Sequence, residues 1–130
     1  MNSKRKGSIA VGEAIAYFIS KGKTVLISIS DCDKYDLVID NGGSFKKIQC
    51  KYSGSQEPSG AYVVDLSTYG GYRTKTYHVK YIKGDFDFLF VYCSNGERYL
   101  IPAKEVIGKL KISVGKKSWR QYIVKAGVAE

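Results

Sequence analysis

The sequence predicts a mixed α/β domain of the α+β kind, and three observations predict it. One helical pattern stands near the N-terminus, β-rich runs then follow one another with turn residues between them, and a last β-rich pair gives way to a short helical signal. That order is expected of a central mixed sheet flanked by segregated helices. With 130 residues, 44% of them hydrophobic, the chain can bury one core and is too short to suggest two. Residues 1–130 are therefore read as a single domain.

The first element is SIAVGEAIAYFIS, Ser8 to Ser20, with Ser8 as N-cap and Gly22 just past the end. Val11, Ala14, Ile15 and Phe18 make one apolar face, and Ile9, Ala10, Ala16 and Ile19 extend it almost all round, so the helix is expected to be mostly buried. Glu13 then needs a buried partner, because an isolated carboxylate there would be costly.

TVLISIS, Thr24 to Ser30, is a strand, and DCDK after it is a polar turn. A hairpin follows: a strand about Tyr35 to Asp40, a turn at Asn41-Gly42-Gly43, and a strand about Phe45 to Tyr52. AYVVDL is another strand. DFDFLFVYCSNGERYLIP supplies two more around Ser94-Asn95-Gly96, and Pro102 ends the second and opens a short helix through AKEVIG. The tail GKKSWRQYIVKAG is basic and aromatic, and suits either a helix or an extended arm.

Three cysteines, Cys32, Cys50 and Cys93, with no Cys-x-x-Cys pair and one histidine, His78, argue against a zinc site or a disulfide framework. Reduced packing thiols are expected. No apolar run reaches the ~18 residues that span a bilayer, and the basic start lacks a signal-peptide core, so a soluble, cytoplasmic protein is expected. The net charge of +9 favours a polyanionic partner, nucleic acid ahead of lipid.

The hairpin carries the chemistry. Side chains alternate along a strand, so Asp36 shares a face with Val38 and Asp40, while Gln49 and Lys51 share one with Phe45 and Lys47. A four-residue loop, Asn41 to Ser44, pairs Asp40 with Phe45 and sets Asp36 opposite Gln49; a two-residue Asn41-Gly42 loop sets it opposite Lys47. Either register gathers an acid, an amide oxygen and an ammonium.

Such a group suits metal-assisted phosphodiester hydrolysis. A hard cation takes oxygen donors, here Asp36, the Gln49 side chain and the Cys50 backbone carbonyl. Lys51 would orient water or neutralise developing charge, and Glu13 would add a ligand or an outer contact. The plainer alternative is a salt bridge from Asp36 to Lys47 or Lys51 on a solvated face.

At these residues the chain resembles the PD-(D/E)XK nuclease superfamily, a restriction-endonuclease-like fold, and within it the intron-associated homing endonucleases in which Gln replaces the second acid. GEAIAYFISKG, YDLVIDNGGSFKKIQCKY and DFDFLFVYCSNGERYLIPAKEV match in order over most of the chain. The resemblance implies Glu13 on the helix, Asp36 as central metal ligand, Gln49 as variable ligand and Lys51 as catalytic lysine. It implies Mg²⁺, with Mn²⁺ substituting, double-stranded or branched DNA as substrate, and a homodimer or homotetramer. Tyr35 stands where the family has Pro. Gln49 removes one negative charge, which favours a single metal and leaves room for a relative that binds DNA without cutting it.

For DNA contact the sequence offers Tyr69, Tyr72, Arg73, Lys75, Tyr77 and Lys80 in a stretch without acids, with Lys47 beside the site and Gly70-Gly71 as a tip entering a groove. Alternate tyrosines of that stretch would equally suit a core. Lys4-Arg5-Lys6 and Lys116, Lys117, Trp119 and Arg120 are secondary candidates, with Trp119 better suited to closing the core and His78 to structure. Two rival functions are an archaeal-type Holliday junction resolvase, which normally has an acid where Gln49 stands, and a non-catalytic nucleic-acid-binding module. Docking on an acidic protein is a third.

Overall fold

The computed structural model describes residues 1–29, 34–72 and 75–125. The helix α1 runs Ser3–Ser20, a turn longer than its apolar pattern, because Asn2 rather than Ser8 caps it: the Asn2 Oδ1 accepts from the Arg5 N–H at 2.9 Å. Ser8 lies inside and donates back to the Lys4 carbonyl at 3.1 Å. The helix stops at Lys21, and Gly22 follows with φ of +78°. Burial is narrower than the apolar pattern predicts. Ala10, Ala14, Tyr17 and Phe18 are buried, but Ile19 is 59% exposed, because only one side of α1 meets the sheet.

Among the described residues eleven strands follow: β1 Thr24–Ile27, β2 Leu37–Asp40, β3 Phe45–Ser53, β4 Ser55–Gln56, β5 Tyr62–Asp65, β6 Thr68–Tyr72, β7 Lys75–Val79, β8 Phe88–Cys93, β9 Arg98–Pro102, β10 Lys111–Val114 and β11 Ile123–Val124. Six form the main sheet in the order β1-β2-β3-β8-β9-β11. It is mixed, with β3 and β8 parallel and the other neighbours antiparallel. The parallel pair needs a long crossover, and the segment between them supplies β4 to β7. Of these, β4 and β5 form a small sheet with the later β10, in the order β10-β5-β4, while among the described residues β6 and β7 form a two-stranded sheet.

Alternation along β3 and β8 divides the core in two. Leu37, Ile39, Ile48, Cys50 and Phe90 pack under α1, and Leu89, Val91, Tyr99 and Ile101 face the other way, onto Tyr62, Val64 and Leu66 of the β5 strand and its exit and onto Ile112 and Val114 of β10. The expected central mixed sheet is present; one of its faces carries α1 and the other a small sheet. Among the described residues two short 3₁₀ turns, Ala103–Glu105 and Lys117–Tyr122, complete the helical content.

The tail resolves into the second of those turns followed by β11. Trp119 is half-buried against the second core, its ring 6.1 Å from that of Tyr122. Cys50 and Cys93 are buried free thiols; Cys32 and most of the DCDK turn lie outside the described residues. No helix among the described residues is long and apolar enough to cross a membrane.

Candidate active site

The hairpin β2–β3 adopts the register set by its four-residue loop. The Asn41 N–H bonds the Ser44 carbonyl at 2.8 Å, Gly42 and Gly43 take φ of +68° and +106°, and Asp40 pairs with Phe45. Glycine supplies those two positive φ angles without strain. Pairing runs out to Leu37 with Ile48, where β2 begins, one residue after Asp36; the Asp36 N–H still bonds the Ile48 carbonyl at 2.8 Å, and beyond it the ladder beside β3 falls open.

Into that opening Asp36 turns its carboxylate. The Cys50 N–H, which has lost its strand partner, donates to Asp36 Oδ2 at 2.8 Å and to Gln49 Oε1 at 3.0 Å. One amide therefore draws two side-chain oxygens to a single spot. In a strand a residue's N–H and C=O point to the same neighbour, so the Cys50 carbonyl faces the same gap beyond the end of β2. Lys51 follows, within electrostatic reach of Asp36 and with its Nζ 5.4 Å from the centre of the Tyr81 ring.

Gln49 is 8% exposed and its amide is oriented from behind, since Nε2 donates to the Lys34 carbonyl at 3.0 Å. A glutamate could not make that bond. The amide that departs from the acid of the family pattern is therefore matched by its surroundings, and it presents oxygen, not nitrogen, to the Asp36 side.

Burial works against both charges. It raises the pKa of Asp36, opposed by the Cys50 N–H and by Lys51, and it lowers that of Lys51, opposed by Asp65 and then Asp36. Tyr81, 2% exposed, has its phenol pushed up by burial and by the negative field of Asp36, Asp85 and Asp65. Asp65 comes from the end of β5, its Oδ1 accepting from the Ser67 N–H at 2.9 Å and the Ser67 hydroxyl at 2.7 Å.

Among the described residues no cluster of three His, Cys, Asp or Glu side chains gathers for a metal. The donors that do gather are a carboxylate, an amide oxygen and a backbone carbonyl. They are hard oxygen ligands, which suits Mg²⁺ and not zinc. The unfavourable burial of Asp36 is the kind a bound cation relieves, so the residues fit the group.

Of the predicted residues, Asp36, Gln49, the Cys50 backbone and Lys51 come together. Glu13 does not join them. Its carboxylate is paired with Arg98 on β9, Oε2 lying 2.5 Å from Nη2 and 3.1 Å from Nε, on the α1 side of the sheet and two strands beyond β3. Arg98 also lies 5.3 Å from the Tyr92 ring centre and donates to the Gly96 carbonyl. The partner that Glu13 requires is thus an arginine 85 residues away, which no local pattern shows.

The outer residues divide as well. Tyr69, Tyr72, Lys75 and Tyr77 belong to the β6–β7 hairpin, where Tyr69 pairs with His78 and Tyr72 with Lys75. Gly70 and Gly71 sit inside β6, opposite Tyr77 and Thr76, so they are not the tip; the tip, with Arg73, lies outside the described residues. Lys80 is exposed. Tyr81, the last tyrosine of the stretch, belongs to the core. Lys47 donates its ammonium to the Gly84 carbonyl and lies 5.7 Å from the Tyr35 ring centre. Lys4 and Arg5 are exposed on the first turns of α1, and Lys6 lies over the Tyr52 ring.

Sequence reasoning missed Lys34, Asp65 and Arg98, and it read Tyr81 as one of the tyrosines of the DNA-contact stretch, where it is buried in the core instead. Asp65 and Arg98 carry no signal beyond being charged residues at strand ends.

The sequence model of the PD-(D/E)XK endonuclease family matches residues 1–124. Among solved structures the chain is similar to a bacterial homing endonuclease, I-Ssp6803I, at 32% identity and a TM-score of 0.80, over 93% of this chain and 83% of that one. No curated protein matches it.

Proposed function

Because the chain belongs to the PD-(D/E)XK endonuclease family, we propose that it is a metal-dependent DNA endonuclease of the homing type, acting on phosphodiester bonds with Asp36, Gln49, Cys50 and Lys51. The observation that carries this is the convergence of the Asp36 and Gln49 oxygens on the Cys50 N–H, with Lys51 beside them.

Asp36, the Gln49 side-chain oxygen and the Cys50 carbonyl would hold Mg²⁺, with Mn²⁺ substituting. Such an ion supplies Lewis-acid polarisation of the scissile phosphate. The chain's own residues do the rest. Lys51 holds a proton at Nζ and places positive charge where negative charge builds on the phosphate oxygens. Asp36 and Asp65 favour the charged form of that lysine against burial. The Lys34 carbonyl keeps the Gln49 oxygen turned toward the site. Glu13 acts as an outer group, through the Arg98 pair that ties α1 to β9.

DNA reaches the site along the β6–β7 hairpin, through Tyr69, Tyr72, Arg73, Lys75, Tyr77 and Lys80, with Lys47 at the edge of the catalytic pocket; the net charge of +9 supports a polyanionic substrate. Cutting both strands of a duplex takes two active sites, so the working form is a homodimer or homotetramer.

The test is Mg²⁺- or Mn²⁺-dependent cleavage of end-labelled duplex carrying the gene's own flanking DNA, beside a four-way junction, by wild type and Asp36→Ala. Duplex cutting by wild type alone supports the proposal. Preference for the junction makes the protein a resolvase, and binding without cutting in either metal makes it a non-catalytic relative.

A further inference from the structure

We propose that Tyr81 is the positioning residue of Lys51, its buried ring seating the lysine ammonium beside Asp36. This role rests on the part given to Lys51 in cleavage above, and it names the group that holds that lysine in place.

Lys51 alternates onto the face of β3 away from α1, paired with Val91 of the second core, and it is half-buried. An ammonium so placed ordinarily ends on a carboxylate or a carbonyl. Among the described residues this one makes no hydrogen bond and no ion pair; Asp36 and Asp65 act on it through their field. What it does meet is the ring of Tyr81. Lys51 Nζ lies 5.4 Å from the ring centre, inside the ~6 Å at which an aromatic face attracts a cation.

The two partners differ in freedom. A lysine stem is flexible, and an ammonium without a partner spreads over several rotamers. The ring does not follow it. Tyr81 is 2% exposed, packs edge-on against Phe86 with ring centres 4.9 Å apart and planes at 81°, and accepts at its carbonyl from the Gly108 N–H at 3.0 Å. The tyrosine therefore sets the place and the lysine takes it. Chemistry favours an aromatic for this task. A carboxylate would neutralise Lys51 and repel the arriving phosphate, whereas a ring face attracts through its quadrupole and carries no net charge. Burial, with the field of Asp36, Asp85 and Asp65, keeps the phenol protonated and so neutral.

Two readouts test this in the full chain. The first is single-turnover cleavage, in Mg²⁺, of end-labelled duplex carrying the gene's own flanking DNA, together with the affinity for that duplex. Tyr81→Leu, which removes the ring, is expected to cut about tenfold more slowly or worse at unchanged affinity, and Tyr81→Phe, which keeps it, to stay within about threefold of wild type. In a Lys51→Met background Tyr81→Leu should add nothing, because the tyrosine acts through the lysine. The second is proton NMR of the metal-free protein without DNA, the Lys51 signals being assigned by their loss in Lys51→Met. A ring face shields what lies over it, so the Lys51 ε-methylene signals should move downfield in Tyr81→Leu and stay in Tyr81→Phe. Tyr62→Leu, at another buried tyrosine of the same core, controls for lost packing and should cut within about threefold of wild type. Should Tyr81→Leu not fold, as judged by circular dichroism, Tyr81→Met takes its place. Unmoved Lys51 signals in Tyr81→Leu overturn the proposal. So does cleavage by Tyr81→Leu at the wild-type rate where Lys51→Met is inactive, or a further loss in the Lys51→Met background. Equal slowing by Tyr62→Leu reduces Tyr81 to packing, and equal slowing by Tyr81→Phe replaces the ring contact by one from the hydroxyl; either overturns it. Lys51→Met that cuts as wild type does overturns the role of Lys51 itself, and this one with it.

Discussion

Two acid–base pairs on opposite faces of the same sheet are treated in opposite ways. On the α1 side Glu13 and Arg98 touch directly at 2.5 Å, with side chains 28% and 24% exposed. On the other side Asp36 and Lys51 are half-buried, and burial pushes each toward its neutral form. Asp36 spends its hydrogen bond on the Cys50 N–H, and Lys51 is shared between Asp65 and Asp36. The first pair closes on itself and fastens the helix to β9. The second is held open, at a cost in stability, which is how a site that must bind something differs from one that must only hold.

The largest expected effect sharpens that contrast. Asp36→Asn and Lys51→Met should each lower cleavage by about 10³-fold or more, while the melting temperature stays at or above that of wild type. A drop in melting temperature with activity retained would make this a structural pair like the first.

Gln49→Glu comes next. It loses the bond to the Lys34 carbonyl and buries a second carboxylate beside Asp36, so it should destabilise the fold by about 2 kcal/mol, as read by urea denaturation at neutral pH. Millimolar Mg²⁺ should restore most of that if the acid joins a cation site. No restoration would mean that position 49 faces no cation.

At Glu13–Arg98 the effects should be smaller. A double-mutant cycle of Glu13→Gln and Arg98→Gln should give a coupling of about 0.5–1 kcal/mol, with cleavage changed less than about tenfold. Loss of cutting by Glu13→Gln at unchanged stability and DNA affinity would move Glu13 into the catalytic group and break the comparison.

The smallest effect is one of pH. Because the folded-state pKa of Asp36 lies above its unfolded value, the folded state holds that proton more tightly. Its contribution is fully present below the ordinary carboxylate range and is lost as pH rises through the raised value. Urea titrations of wild type and Asp36→Asn should therefore diverge across that window, with the variant lacking the loss.

The hairpin was legible because its information is local. An Asn-Gly-Gly-Ser loop leaves few registers, and alternation then assigns Asp36, Gln49 and Lys51 to one face. The start of α1 was not, because apolar periodicity begins after the Lys4-Arg5-Lys6 run, and the cap at Asn2 lies before it. The burial of α1 was overestimated because a helix apolar nearly all round meets only one sheet face here, and Ile19 is left in the open. Glycine pairs suit tips, yet Gly70 and Gly71 pair within the ladder. Arg98, Asp65, Tyr81 and Lys34 reach their places through tertiary contacts that no spacing encodes. The strand β10, short and flanked by lysines, gave no signal of its own.

Among the described residues β6 and β7 form a two-stranded sheet, with no ladder to the main or the small sheet. Exchanging Thr68 to Val79 for a hairpin of another sequence would break no ladder bond in the main or the small sheet, while Leu66 before it stays tied to Leu110 and Tyr81 after it stays in the core. On the DNA contact proposed for this hairpin, a change of target could be engineered by cassette replacement that leaves the β2–β3 ladder of the catalytic hairpin in place.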